Sequence, residues 1–151
     1  MELTFRDACT ADLPALVQML ADDKLGAQRE DTGVPLNPRY AEIFAAIEAD
    51  PNNQLVVVER DAQAVGMLQL TFIPYLSHTG TWRALIEAVR IHSRYRGQGL
   101  GERLFAWAID RARVRGCRLV QLTSDKQRPD AIRFYRSLGF RDSHEGFKLE
   151  L

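Results

Sequence analysis

The sequence contains little of what cross-linked or metal-dependent domains require. Cys9 and Cys117 are its only cysteines, and they lie far apart, with no histidine or further cysteine at the spacing of a zinc site. A disulfide framework and a bound metal are therefore not expected. Free thiols fit a reducing environment, so we expect a cytoplasmic protein.

Long hydrophobic runs and an excess of one charge are also absent. No apolar stretch approaches the roughly 20 residues of a membrane-spanning helix, and the polar start MELTFRDACT is unlike a signal peptide. Twenty basic residues balance twenty acidic ones, so the overall charge gives no reason to expect a nucleic-acid or membrane partner. The length of 151 residues, without a low-complexity segment, predicts a single domain covering residues 1–151.

The first third of the chain predicts a strand and two helices. ELTFRDA alternates as a strand does, and Thr10 is a candidate N-cap of the helix that follows. Four residues of that helix share one apolar face: Leu13, Leu16, Val17 and Leu20. Residues 24–38 lack periodicity and predict a loop, either a mobile surface loop or one beside a substrate. RYAEIFAAIEAD resumes a helical pattern, with four apolar or aromatic residues on one face: Tyr40, Ile43, Phe44 and Ile47.

The rest of the chain alternates strands and helices. QLVVVER and AVGMLQLTFI predict a β-hairpin across residues 61–63, and RALIEAVRI adds a third strand. A helix follows the glycines near residue 100, RLVQLTS is a strand, and RPDAIRFYRSLG predicts a short helix ending at Gly139. GFRDS and FKLEL are expected to pair as a final hairpin across residues 144–146. The predicted order is β-α-α-β-β-β-α-β-α-β-β, in a mixed α/β (α+β) domain.

The stretch VRIHSRYRGQGLGERLFAWAI, residues 89–109, joins a strand to an amphipathic helix through Arg96-Gly97-Gln98-Gly99-Leu100-Gly101. Unpaired backbone N–H groups and the positive end of the helix dipole meet there, and glycine lets an anion approach the backbone. Glu102 stands where a dinucleotide-binding loop needs its third glycine, and Glu102-Arg103 replaces the Lys-Ser/Thr of a P-loop. The segment is either a phosphate-binding loop of another kind or a helix entry whose glycines only turn the chain.

The motif Arg96-Gly97-Gln98-Gly99-Leu100-Gly101 matches the Q/R-x-x-G-x-G/A signature of the GNAT superfamily of N-acetyltransferases. FRDACTADLPAL also resembles the opening strand and first helix of that family, and AIRFYRSLGF resembles its late A-I-x-x-Y-x-x-x-G-F segment. The predicted order of elements agrees along nearly the whole chain. The resemblance implies a mixed, mostly antiparallel sheet flanked by helices, with acetyl-CoA as co-substrate and no metal.

The resemblance also implies how acetyl-CoA would be held. Backbone N–H groups of residues 96–101 would bind the pyrophosphate, and the pantetheine arm would pair with the backbone of Val89, Arg90 and Ile91. Arg94 and Arg96 are expected either to contact the phosphates or to remain solvated at the surface.

Glu87 is the one charged side chain on the predicted reaction strand that needs an explanation. Period-two alternation places it on one face with Leu85, Val89 and Ile91, so the carboxylate would stand among apolar neighbours. Such a carboxylate must be paired, reach water or have a raised pKa, and a raised pKa suits a general base. GNAT enzymes often place a glutamate on this strand as the base, acting directly or through water. We interpret Glu87 either as that base or as a salt-bridge partner.

Tyr135, in AIRFYRSLGF, matches the family tyrosine that can protonate the departing CoA thiolate. Its spacing from Ile132 and Leu138 fits core packing equally well. Arg128 stands where the family often has asparagine, three residues before the alanine of this helix. That contact with the cofactor is therefore altered or supplied by another residue.

The connection FIPYLSHTGTW is rich in aromatic and hydrogen-bonding groups beside the predicted reaction strand. Tyr75, His78 and Trp82 are expected either to line an acceptor pocket or to pack within the loop.

The functional hypothesis is direct transfer of an acetyl group from acetyl-CoA, in a ternary complex, to a primary amine that we expect to belong to a small molecule. No cysteine is expected at the reaction centre, which argues against a covalent acyl-enzyme. A backbone N–H near Val89 or Arg90 would stabilise the tetrahedral oxyanion. The alternatives are acetylation of a protein N-terminus or lysine, and a CoA-binding regulatory module without activity. A homodimer is an expectation from the family alone.

Overall fold

The computed structural model describes residues 2–151. The helices and strands are, in chain order, β1 (Thr4–Asp7), α1 (Leu13–Ala21), α2 (Lys24–Arg29), α3 (Pro38–Ala49), β2 (Asn53–Arg60), β3 (Gln63–Tyr75), α4 (Ser77–Gly80), β4 (Thr81–Ile91), α5 (Leu100–Val114), β5 (Cys117–Leu122) and α6 (Pro129–Ser137). Short 3-10 turns precede α1 and α5, at Thr10–Asp12 and Ser93–Tyr95. None of the helices within residues 2–151 has the length and apolar character needed to cross a membrane.

Five strands form one sheet in the order β1-β2-β3-β4-β5. The pairs β1–β2, β2–β3 and β3–β4 are antiparallel. The predicted β2–β3 hairpin is confirmed, and its two-residue turn consists of Asp61 and Ala62, with φ of 51° and 61° as a type I′ turn requires. The predicted fold class, a mixed α/β domain with a mostly antiparallel sheet flanked by helices, is confirmed.

One face of the sheet packs against α1 and α3. Side chains of both helices form a buried cluster with Val57 of β2 and Met67 of β3: Leu13, Leu16, Met19 and Phe44. Each large apolar side chain buried in this way contributes roughly 1.5–3 kcal/mol to folding. The predicted apolar face of α1 is therefore confirmed.

The opposite face of the sheet packs against α5. Strand side chains alternate, so Leu68, Leu70 and Phe72 point away from Met67, and the Arg115 guanidinium of the α5 end lies 4.1 Å from the Phe72 ring centroid. The predicted stripe of α5 is buried together with Phe105: Leu100, Leu104, Ala108 and Ala112. Because the same helix begins at the glycine segment, its packing fixes that segment against the sheet.

The predicted loop at residues 24–38 contains a helix, α2. Asp23 caps this helix by accepting a hydrogen bond from the Gly26 N–H at 2.6 Å. A Cβ on Gly26 would lie 1.9 Å from the Leu20 carbonyl oxygen, so α1 and α2 approach this closely only because the residue is glycine. A helix of six residues is too short to show a helical period, which is why the pattern predicted a loop.

Two details of the predicted helices are wrong. Cys9 rather than Thr10 is the N-cap of the first turn, because the Asp12 carboxylate accepts the Cys9 N–H at 2.7 Å and holds the chain in a 3-10 turn before α1. Ile43 is 58% exposed, whereas Phe44 is buried. Neighbouring helical residues point about 100° apart, and α3 contacts the sheet along a narrow strip that excludes Ile43.

The chain divides between Gln121 and Leu122 into two compact units, and the prediction of a single domain over residues 1–151 stays a prediction. In the second unit α6 is confirmed, but the predicted final hairpin is not formed, since residues 140–151 contain no strand. Phe147 and Leu149 are 93% and 86% exposed. Alternating residues form a stable strand only where one face is buried, and an isolated two-stranded hairpin is marginal in water.

Candidate active site

A β-bulge interrupts β4 directly after Glu87. The register of β3 against β4 shifts by one residue between Met67 and Gln69, so Ala88 and Val89 stand opposite a single residue of β3. Ala88 has φ of 55°, in the left-handed region that a residue with a side chain rarely adopts. The extra residue breaks the hydrogen-bond ladder between the two strands at this point.

The bulge changes which residues of β4 share a face. Glu87 and Arg90 both pair with residues of β3 whose side chains point toward α1, so these two charged residues lie on the same face. The expectation that Val89 and Ile91 share the face of Glu87 is wrong, because strict alternation fails at an inserted residue. The sequence contains no glycine or proline here that would have indicated the bulge.

The Glu87 side chain is exposed, and it makes no hydrogen bond or ion pair with any of residues 2–151. Its partner across the strands is the amide side chain of Gln69. The salt-bridge interpretation therefore finds no partner within the described part of the chain. The carboxylate is open to water and to a ligand.

The glycine segment forms an exposed entry to α5. Gly97 and Gly99 have φ of 73° and 76°, which only glycine adopts without strain. Hydrogen bonding of the helix begins with the Arg103 N–H, which donates to the Gly99 carbonyl. The backbone N–H groups of residues 99–102 consequently have no acceptor within residues 2–151. Free donors at the positive end of a 15-residue helix can hold an anion.

Arg96 connects this segment to the end of α1. Its Nε donates to the Ile91 carbonyl oxygen at 3.1 Å, and its Nη2 lies 3.3 Å from the Asp22 carbonyl oxygen and 3.4 Å from Asp22 Oδ2. The Arg94 N–H donates to His92 Nδ1 at 3.2 Å, while the Arg94 side chain has no polar partner within residues 2–151. Arg96 thus holds the loop against α1, and Arg94 remains available to a phosphate.

A cavity of about 440 Å³ lies beside the loop, between the ends of α1, α2 and β4. Glu30 in its wall accepts hydrogen bonds from the Tyr40 hydroxyl at 3.0 Å and from Arg29 Nε at 2.8 Å. The other polar side chains of the wall are Gln18, Asp22, Thr32, His92 and Ser93. Part of the segment 24–38 therefore borders a cavity next to the predicted phosphate loop.

The three residues predicted for an acceptor pocket lie at the far end of β4. The Arg83 guanidinium lies over the Tyr75 ring, 3.8 Å from the ring centroid. Trp82 directly precedes Arg83 on β4, and neighbouring strand residues alternate, so the Trp82 side chain points to the opposite face of the sheet. His78 is exposed in α4, with φ of 56°. Glu87 lies five positions after Trp82, or roughly 16 Å along the strand. The structure does not bring these three side chains together around Glu87.

Tyr135 lies on α6, in the second unit. Its half-buried ring meets the Phe140 ring edge-on, with centroids 6.2 Å apart, and the Phe140 N–H donates to the Tyr135 carbonyl oxygen at 3.1 Å. The ring therefore packs at the end of its helix without being fully buried. Arg128 is the N-cap residue of the same helix, with φ of −117°.

Comparison with families of known proteins gives an extended match. The model of the acetyltransferase (GNAT) family matches residues 15–140. The chain is also 36% identical over 104 residues to an aminoalkylphosphonate N-acetyltransferase of Salmonella typhimurium, and the alignment covers 69% of this chain and 67% of that protein. The GNAT family uses acetyl-CoA as its acetyl donor.

Solved structures share the fold over almost the whole chain. A transcriptional regulator from Bacillus halodurans C-125 is 54% identical with a TM-score of 0.96, covering 99% of this chain and 100% of that one. A putative acetyltransferase from Agrobacterium tumefaciens is 26% identical with a TM-score of 0.84, covering 98% and 99%. The sequence signature, the fold and the family match agree: the chain belongs to the GNAT family of acetyltransferases and is an acetyl-transferring acyltransferase.

Proposed function

We propose that the chain transfers the acetyl group of acetyl-CoA directly to a primary amine of a small molecule. One observation carries the proposal: the bulged strand that bears an exposed, unpaired carboxylate, Glu87, leads directly into a loop with free backbone donors at residues 99–102. The loop suits the anionic end of the donor, and the carboxylate suits the amine. The Salmonella relative, an N-acetyltransferase of aminoalkylphosphonates, supports a small-molecule acceptor.

The residues predicted for the donor fit a pyrophosphate. The N–H groups of residues 99–102 need acceptors, and the left-handed glycines at positions 97 and 99 keep side chains away from the approaching phosphates. Val89, Arg90 and Ile91 lie between this loop and Glu87, where their backbone would run alongside the pantetheine arm. Arg96 and Gln98 are the remaining residues of the loop before α5, and Leu100 and Gly101 are the first two residues of that helix.

Glu87 would act as the general base of the reaction. It would accept a proton from the acceptor ammonium, so that the nitrogen lone pair can attack the thioester carbonyl carbon. The new C–N bond forms as the carbonyl becomes a tetrahedral oxyanion. When the C–S bond breaks, the Tyr135 hydroxyl would give its proton to the departing thiolate, and the second proton that the nitrogen must lose would pass through solvent to restore the Tyr135 hydroxyl. The products are an acetylated amine, free CoA and one proton, held first on Glu87 and then released to solvent.

The bulge would supply the oxyanion donor. Ala88 and Val89 stand opposite a single residue of β3, so the regular ladder is interrupted directly after Glu87, and a backbone N–H there would be available to the oxyanion. A fixed N–H at the developing charge stabilises the transition state more than it stabilises the substrate. This location agrees with the N–H near Val89 or Arg90 that we predict from the sequence.

A regulatory module that binds CoA without activity is the second candidate. The protein from Bacillus halodurans, which is 54% identical, is described as a transcriptional regulator, and this description favours the alternative. The two functions differ in one measurable property, since only an enzyme releases CoA in proportion to an added acceptor.

Thiol release with a panel of amines tests the proposal. We expect acetyl-CoA and CoA to raise the melting temperature, because binding to the native state stabilises it, and at least one small primary amine to accelerate release of CoA. The panel should include aminoalkylphosphonates, other small amines and lysine-containing peptides. Release with peptides alone would replace the small-molecule proposal by protein acetylation. Stabilisation by CoA without release in the presence of any amine would favour the regulatory module.

Glu87→Gln tests the general base. The amide cannot accept the ammonium proton, so kcat should fall about a hundredfold or more, while the Kd for acetyl-CoA stays within about twofold of the wild type. Glu42→Gln is the control, because it removes an exposed acidic residue on α3 that belongs neither to β4 nor to the glycine loop. A Glu87→Gln protein with wild-type kcat would exclude Glu87 as the base.

A further inference from the structure

The face of the sheet around Glu87 carries a row of polar side chains that the proposed chemistry has not used. Asn53, Gln69 and Thr71 lie on β2 and β3, beside Glu87 on β4. Gln69 and Glu87 are directly paired, so their Cβ atoms are roughly 4.5–5.5 Å apart. The row is close enough to Glu87 to contact the same ligand.

A chain of hydrogen bonds fixes the orientation of these amides. The Asp50 carboxylate accepts a bond from Asn53 Nδ2 at 3.0 Å, which, with the Asn52 N–H, lowers the pKa of Asp50 and keeps it an acceptor. Asn53 Oδ1 must therefore point the other way. It accepts bonds from Gln69 Nε2 at 3.0 Å and from the Thr71 hydroxyl at 3.1 Å.

This chain leaves one oxygen of Gln69 available. Because its Nε2 is held toward Asn53 on the β2 side, the Gln69 Oε1 branch of the amide is turned away from β2, on the side of β4. Oε1 receives no hydrogen bond from any of residues 2–151, and neither does the paired Glu87 carboxylate. Two acceptors, one of them charged, thus stand side by side without a donor. A primary ammonium group, with three N–H donors and a positive charge, is the ligand that such a pair fits.

We propose that Gln69 Oε1 and the Glu87 carboxylate together bind the ammonium group of the acceptor. This inference rests on the proposed function and adds a residue to it. Glu87 takes one proton of the ammonium, and Gln69 Oε1 keeps a hydrogen bond to a second N–H. The nitrogen is held in place while its lone pair becomes free to attack. Gln69 is then a substrate-binding residue, and Asn53 positions it.

Gln69→Met tests the contact, with Thr71→Val as the matched control. Methionine keeps the length of the side chain but has no strong acceptor, so the KM for the amine should rise about tenfold or more, as for loss of a hydrogen bond to a charged group. The KM for acetyl-CoA should not change. Thr71→Val removes the other donor to Asn53 and leaves Gln69 in place, and its KM for the amine should stay within about twofold of the wild type.

Gln69→Glu provides the second arm. It retains an acceptor oxygen beside Glu87, so its KM for the amine should remain closer to the wild type than that of Gln69→Met. If Gln69→Met does not fold, the KM of Gln69→Glu for the amine tests the inference instead. Equal KM values for Gln69→Met and Thr71→Val would overturn the inference, and so would a Gln69→Glu protein that binds the amine ten times more weakly. A wild-type protein that acetylates no amine would overturn the proposed function and this inference with it, whereas an active wild type separates the two.

Discussion

The glycine loop offers a sharp test, because the chain contains two glycines with almost the same backbone conformation at opposite ends of one helix. Gly99 precedes α5 with φ of 76°, and Gly116 follows it with φ of 78°. An alanine at either position must adopt the left-handed conformation, at a cost of about 1 kcal/mol. Both variants should therefore melt roughly 2–4 °C below the wild type.

The two variants should differ in how they bind acetyl-CoA. A Cβ on residue 99 would project from the segment whose N–H groups lack acceptors. Within the protein this Cβ would lie 3.2 Å from Oε2 of the flexible Glu102 side chain. A Cβ on residue 116 meets nothing within 4 Å and lies roughly 25 Å away, beyond the other end of α5. Loss of one charge-assisted hydrogen bond to a phosphate costs about 2 kcal/mol, so Gly99→Ala should raise the Kd about 30-fold. Gly116→Ala should leave it unchanged.

Titration calorimetry with acetyl-CoA, alongside thermal unfolding without ligand, measures both quantities. The unfolding experiment shows whether the two alanines impose the same strain, and calorimetry shows whether only one of them affects the donor. Equal Kd values for the two variants would mean that residues 96–101 serve only to turn the chain. The assignment of the pyrophosphate to this loop would then be refuted.

Two further predictions concern the helix that carries Tyr135 and the first turn of the chain. Tyr135→Phe keeps the ring contacts but removes the hydroxyl, so kcat should fall at least tenfold in steady-state assays while the Kd for acetyl-CoA is unchanged; an unchanged kcat would leave only a packing role. Asp12, which accepts two hydrogen bonds from the Arg6 guanidinium, has its pKa lowered from 3.8 to about 2, first by these bonds and also by the Cys9 N–H. Its stabilisation is therefore complete above pH 3.8 and lost as the pH falls toward 2, so Asp12→Asn should lower the free energy of unfolding by about 1–2 kcal/mol at pH 7 and by progressively less below pH 4. Urea unfolding at several pH values measures this difference, and a difference independent of pH would contradict the assigned pKa.

Local patterns in the sequence were sufficient for most of the fold. The spacing of Leu100, Leu104, Ala108 and Ala112 defined α5 because a 15-residue helix has room for several repeats of its apolar face. The six-residue α2 has no room for a repeat, and it depends on Gly26 fitting against Leu20, a contact between two helices that no local pattern records. The predicted final hairpin is wrong for the opposite reason. The alternating pattern around Phe147 and Leu149 is clear, but both side chains are exposed, so no buried face stabilises a strand there.

The sequence by itself determined the family, the order of most elements and the loop at residues 96–101, because glycines and a helix start are local features that a linear motif encodes. The tertiary structure decided the surroundings of Glu87. The bulge at Ala88 and Val89 arises from the register of β4 against β3, and this register removes Val89 and Ile91 from the face of Glu87 and pairs Glu87 with Gln69. Strand pairing joins residues that are distant along the chain, so only the folded sheet could show which side chains share the site with Glu87.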